Sequence, residues 1–154
     1  MIDKELSQQA KDYLAQIRKI EHLISRLRST VATLRSDLTS IGCELKPDKV
    51  HTSEPKNTLE ETVAKIDDLE RKINIRIGEL VNKKADALSR VEKISDSDRQ
   101  NVLTARYVEG AKWERIAVDL NFSMRQVHRI HEAALLDFAR ENPDILKDGT
   151  SFLW

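Results

Sequence analysis

Hydrophobic residues recur along two stretches of the chain at alternating steps of four and three positions. The first stretch comprises Leu6, Ala10, Tyr13, Ile17, Ile20, Ile24, Leu27, Val31, Leu34, Leu38 and Ile41, and the second comprises Leu59, Val63, Ile66, Ile73, Ile77, Leu80, Ala87, Val91 and Ile94. Such steps place every member on one side of an α-helix, which is the heptad pattern of coiled coils. The sequence therefore predicts two long amphipathic helices.

Residues 42–57 separate the two stretches and are predicted to form a loop, because they have no apolar periodicity and contain Pro47 and Pro55. The stretches 6–41 and 59–94 are equal in length, so the two helices can fold back on each other as an antiparallel hairpin. A parallel homodimeric coiled coil is the alternative. Glu70 and Lys84 occupy seam positions, where polar residues can mark the joining of a further helix.

After residue 94 the pattern changes to shorter apolar segments, and residues 113–130 follow the sequence rules of a helix-turn-helix. Ala117 is small where two helices must cross closely. Asn121 stands at the turn position that needs a positive φ, which Asn tolerates best after Gly. Ser123 can cap the second helix. We therefore predict an all-α protein with a helical hairpin at 1–94, a helix-turn-helix domain at 95–142 and a tail at 143–154, an ordinary helical hairpin being the alternative at 113–130.

The second helix of this motif, predicted at 124–138, is expected to read DNA with the side opposite its apolar stripe. The candidate DNA-binding residues are Lys112, Ser123, Met124, Arg125, Gln126, His128 and Arg129. An arginine fits the two acceptors of guanine, and a methionine can touch a thymine methyl group. The alternative for each residue is an ordinary solvated or packed position.

The charge balance limits how DNA could be bound. Lys plus Arg and Asp plus Glu number 26 each, so the chain has no net positive charge to attract nucleic acid from a distance. Between Lys112 and Arg129, four basic residues face two acidic ones, which is a weak basic patch. Few phosphate contacts imply weak binding by one copy. We therefore expect a homodimer on double-stranded DNA, or a second DNA-bound protein.

Other functional classes find little support in the sequence. The charged N-terminus, the single Cys43 and the lack of an apolar run of about 20 residues predict a cytoplasmic protein without a membrane role. Neither a Gly-rich phosphate loop nor a nucleophile motif is present, so we predict no enzyme activity and no cofactor. His128 and His131 have the spacing of a metal pair, but no suitable third ligand stands nearby, and no metal is expected.

The segment from about 97 to 138 resembles region 4 of sigma-70-type factors, most clearly in residues 106–110, 113–117 and 127–131. With a coiled N-terminal part ahead of it, the chain resembles the small phage and prophage regulators of the ArpU and RinA type, which are thought to switch on late phage genes. The resemblance implies a transcription regulator that reads promoter DNA through Met124, Arg125 and Arg129. It also implies the alternative of an adaptor that binds RNA polymerase or another protein without reading bases. The chain has no counterpart of sigma region 2, and Asn121 replaces the common glycine.

Overall fold

The computed structural model describes residues 1–44 and 53–146, and this part of the chain is all-α without a strand. Its helices are α1 (Ile2–Glu44), α2 (Ser53–Val91), α3 (Ser97–Leu103), α4 (Trp113–Leu120) and α5 (Met124–Glu141), and a π-helical turn (Thr104–Val108) continues α3 directly. None of these helices combines the length and the apolarity needed to cross a bilayer. The predicted fold class is confirmed.

The connection between the two long helices is shorter than the predicted loop at 42–57. Helix α1 includes residues 42–44, and α2 already includes residues 53–57, while residues 45–52 lie outside the described part. Pro55 is the third residue of α2. A backbone N–H at this position would have no partner within the helix, so a proline, which lacks one, is tolerated there. Gly42 lowers helix propensity by only about 1 kcal/mol, which is too little to end a long amphipathic helix.

The chain divides into two compact units, which we call the hairpin unit (residues 20–80) and the terminal unit (residues 1–19 and those from 81 onward). This division differs from the predicted boundary after residue 94, because the terminal unit contains the beginning of α1 and the end of α2 together with α3, α4 and α5. The predicted tail at 143–154 is also partly packed, since Ile145 is buried. Residues 147–154 lie outside the described part.

In the hairpin unit, α1 and α2 run antiparallel, as predicted. Their shared apolar cluster is formed by Ile24, Val31, Ile66 and Ile73. Ile24 lies near Leu80, and Arg35 pairs with Glu70. The residue numbers on α2 therefore decrease as those on α1 increase, which is the antiparallel arrangement. Glu70, a polar residue in the apolar seam, thus bonds to the other helix of the same hairpin.

In the terminal unit, the first turns of α1 pack against the last helix. The ring of Tyr13 lies 6.0 Å from that of Phe138, and its hydroxyl bonds to Asp86 of α2. Arg90 of α2 bridges to the segment after α5 through a 2.7 Å ion pair with Asp144, and it also forms a 2.9 Å ion pair with Asp86 of α2. The guanidinium of Arg90 lowers the pKa of the Asp144 carboxyl. These contacts explain why the ends of the long helices belong to this unit.

Candidate nucleic-acid interface

The turn between α4 and α5 has the backbone geometry that the sequence predicted. Asn121 adopts the left-handed conformation with φ 62° and ψ 38°, and no other residue apart from glycine in the described ranges has a positive φ. The next backbone N–H, that of Phe122, donates to the Ala117 carbonyl at 2.9 Å. Ala117 itself is 7% exposed, so the two helices leave little room for a larger side chain. The helix-turn-helix at 113–141 is therefore formed as expected.

Ser123 and Gln126 form a complete capping box at the start of α5. The Ser123 hydroxyl accepts from the Gln126 backbone N–H at 3.2 Å, and the Gln126 Oε1 accepts from the Ser123 backbone N–H at 2.9 Å. Both bonds satisfy donors that a helix N-terminus would otherwise leave unpaired. The capping role occupies the carbonyl side of Gln126, which leaves its amide nitrogen for any further contact.

An apolar cluster holds α5 in place from behind. Its buried members are Val102, Ile116, Ala117 and Val127, which come from α3, α4 and α5. Partly buried neighbours close the cluster, among them Trp113, Leu120, Phe122 and Ile130. Because three helices contribute, α5 is supported along its first two turns, and its other side is presented to solvent at a defined orientation.

A chain of stacked side chains lies beside this cluster. The guanidinium carbon of Arg106 lies 4.5 Å from the centroid of the Trp113 ring, and the Trp113 ring meets His131 edge-on at 4.7 Å. The Tyr107 hydroxyl and the His131 Nε2 are 2.8 Å apart. The π-helical turn carries Arg106 and Tyr107, so an irregular turn places both against α4 and α5. The sequence pattern alone did not predict this group of stacked side chains.

In this group of stacked side chains, His131 is the residue whose pKa departs furthest from its ordinary value. Only 4% of the residue is exposed, and burial, followed by the positive charges of Lys11, His128 and Arg106, lowers its pKa to about 4. Burial also raises the pKa of Tyr107 to about 12. Both side chains are therefore neutral at pH 7, and the hydrogen bond between them joins two uncharged groups. Among the described residues no three histidine, cysteine, aspartate or glutamate side chains are placed to hold a metal ion.

Three of the predicted DNA-binding residues are exposed cations. Lys112 precedes α4, and Arg125 and Arg129 lie one turn apart on α5. None of the three forms an ion pair within the described ranges, whereas the nearby Arg115 is paired with Asp119 at 3.3 Å. Unpaired guanidinium groups keep all their donors for an external acceptor.

The other predicted residues have more constrained surroundings. The ring of His128 lies 4.9 Å from the Trp113 ring, so its orientation is restrained by an aromatic contact. Met124 is 38% exposed and lines an open groove of about 500 Å³ together with Val118 and Phe122. Val118 is 76% exposed and adds apolar surface to this groove. The candidate interface thus combines a basic face on α5 with an apolar groove beside the turn.

No protein-family model, no curated protein and no solved structure matches this chain.

Proposed function

We propose that this chain is a sequence-specific, double-stranded-DNA-binding transcription regulator of the cytoplasm, and that α5 reads the major groove. The observation that supports the proposal best is the pair of unpaired arginines, Arg125 and Arg129, on the solvent side of a helix that is capped and supported from behind. A recognition helix needs both properties, because base contacts demand a defined helix position and free donors. A phage or prophage origin rests on the resemblance alone and stays a prediction.

The small number of free cations bears on the stoichiometry of this function. Lys112, Arg125 and Arg129 are the exposed cations of the motif without an ion pair in the described part, so one copy would neutralise few phosphates. Affinity for DNA at physiological salt rises steeply with that number. We therefore propose that a homodimer places two α5 helices on one duplex, and that the complex also contacts RNA polymerase.

The proposal is tested by selecting binding sites from a random double-stranded DNA library and measuring affinity by fluorescence anisotropy. Arg125→Ala and Arg129→Ala should each weaken binding to the selected site by about 5- to 150-fold, which corresponds to about 1 to 3 kcal/mol for a lost bidentate base contact. Arg140→Ala removes the same charge from the last turn of α5 and serves as the control. Equal affinity of the Arg125→Ala, Arg129→Ala double variant for selected and scrambled DNA is expected; unchanged discrimination would refute base reading.

Lys112 has a different expected role. It precedes α4 and does not belong to α5, and we assign it to a phosphate. Lys112→Ala should weaken binding to all sequences alike and reduce the slope of log affinity against log salt by about 1. A loss confined to the selected site would instead place this side chain against a base edge.

The second candidate function is an adaptor that binds RNA polymerase or another protein without reading bases. The groove lined by Val118, Phe122 and Met124 favours it, because an apolar groove with an exposed rim suits a protein ligand better than a phosphate backbone. Binding to purified bacterial RNA polymerase, measured with the wild type and with Val118→Asp, distinguishes the two. Polymerase binding that Val118→Asp abolishes, combined with no DNA selection, would favour the adaptor.

A further inference from the structure

The hairpin unit carries an open groove of about 640 Å³ between α1 and α2. Its apolar floor includes Ile24 and Ala32 from α1 and Ile77 and Leu80 from α2. Two helices can bury only the sides that face each other, and Ile20, Leu27, Ile77 and Leu80 accordingly remain only partly buried. The groove is therefore a place where apolar surface of the seam is still in contact with solvent.

The α1 side of the groove is self-complementary in charge. Glu21 and Arg28 both line it and stand seven positions apart, which places them on the same side of the helix. The midpoint between them falls between Ile24 and Ser25. A two-fold axis at this midpoint, perpendicular to α1, would bring Glu21 of each copy against Arg28 of the other. One surface thus supplies both members of two ion pairs.

The same axis also matches the sizes of the side chains. It would place the partly buried Ile20 opposite the exposed Ser29 of the second copy, and it would pass beside Ile24, which is already buried against α2. A large residue opposite a small one allows two helices to approach closely and interdigitate. Arg28 is exposed and forms no ion pair within the described residues, so its guanidinium has its donors available. Charge and size therefore select the same antiparallel arrangement.

We propose that the occupant of this groove is a second copy of the chain, docked with its α1 antiparallel to the first about an axis between Ile24 and Ser25. Two hairpins joined in this way form a four-helix arrangement around a shared apolar centre. This interface specifies how the two copies of the proposed dimer associate. Its biological purpose rests on the proposed function. Its test requires no DNA, so that either idea can fail alone.

The test exchanges the charges and measures association of the full chain by sedimentation equilibrium. Glu21→Arg places two like-charged pairs in the homodimer, and Arg28→Glu does the same with opposite sign, so each variant should dimerise at least about tenfold more weakly than the wild type. In an equimolar mixture of the two variants, both contacts become Arg against Glu. The mixture should therefore recover an affinity within about threefold of the wild type, with one tagged and one untagged copy in each dimer.

Two further variants keep this test decisive. Arg26→Glu makes the same charge change as Arg28→Glu on another side of α1, and it should leave dimerisation unchanged. The double variant Glu21→Arg, Arg28→Glu restores opposite charges within a single sequence and should dimerise like the wild type even if a single variant folds poorly. A monomeric wild type, single variants that dimerise normally, or a folded mixture that does not recover would each overturn the proposal.

Discussion

The terminal unit and the hairpin unit differ in how completely they bury their cores. In the terminal unit Phe138, Leu103 and Val102 have no exposed surface, whereas the best-buried of the described residues of the hairpin unit, Ile24, Val31, Ile66 and Ile73, keep 5–8% exposure. The reason is geometric, because parts of five helices enclose the first core, while two helices can cover only one side of each other. The terminal unit should therefore be stable by itself, and the hairpin unit should gain stability from association.

The largest expected effect compares one substitution at two positions of α1. Leu14 lies in the terminal unit and is 1% exposed, whereas Leu34 lies in the hairpin unit and is only partly buried. Leu14→Ala should lower the free energy of unfolding by about 3 to 4 kcal/mol, because it opens a cavity in a closed core. Leu34→Ala should cost about 1 to 2 kcal/mol, since solvent or a side-chain shift can fill the space.

Urea unfolding monitored by circular dichroism measures both variants, at a protein concentration held constant because association contributes to stability. Unequal losses in the expected order would support the difference between the units. A loss at Leu34 as large as that at Leu14 would show that the hairpin core is closed in solution, as a tight dimer would make it.

The next effect is a dependence of stability on pH that belongs to the terminal unit. His131 has a pKa of about 4 in the folded protein, below the ordinary value of about 6.5. The unfolded chain therefore binds a proton more readily as the pH falls, so the stabilisation is complete above pH 6.5 and is lost between 6.5 and 4. The loss should reach about 3 kcal/mol at pH 4.

Carboxylates also titrate in this range, so the informative quantity is the difference between the wild type and His131→Gln. Glutamine does not gain a proton, and the advantage of the wild type over the variant should shrink from pH 7 to pH 4. His22→Gln, at an exposed position on α1 in the hairpin unit, is the matched control for the loss of a histidine. A parallel pH dependence in the wild type and His131→Gln would mean that His131 is accessible to protons in the folded state.

The features that could be predicted from the sequence are those governed by local rules. Asn121, Ser123 and Ala117 were assigned to a turn, a cap and a close crossing, and each assignment depends on residues within about seven positions of one another. The antiparallel hairpin was also predictable, because two heptad seams of equal length can cover each other along their whole length when the chain folds back. Local patterns of this kind need no knowledge of distant contacts.

The features that were missed depend on distant parts of the chain. The seam that contains Ala10 and Ile17 continues the heptad pattern without a break, so nothing in its spacing indicates that the terminal unit includes it. The spacing of His128 and His131 is that of a metal pair, whereas in the structure His131 is buried against Tyr107 of the π-helical turn. A π-helical turn has no marked sequence pattern, and it is stabilised by the tertiary contacts of the residues that it displaces.

The smallest expected effect concerns the ion pair between Arg35 and Glu70, which joins the two helices of the hairpin unit. Both side chains are largely exposed, at 62% and 42%, so water and salt screen their attraction. A double-mutant cycle with Arg35→Ala and Glu70→Ala should give a coupling of about 0.5 kcal/mol that vanishes at 1 M salt.

The matched cycle on Arg99 and Asp137 in the terminal unit, where the side chains are 37% and 27% exposed, should give a larger coupling that salt reduces less. Both pairs join an arginine to a carboxylate, and the further contact of Arg99 with Asp96 at 3.9 Å is not itself mutated in the cycle. Equal couplings with equal salt dependence would mean that association covers the Arg35–Glu70 pair, and the hairpin unit would then be as enclosed in solution as the terminal unit.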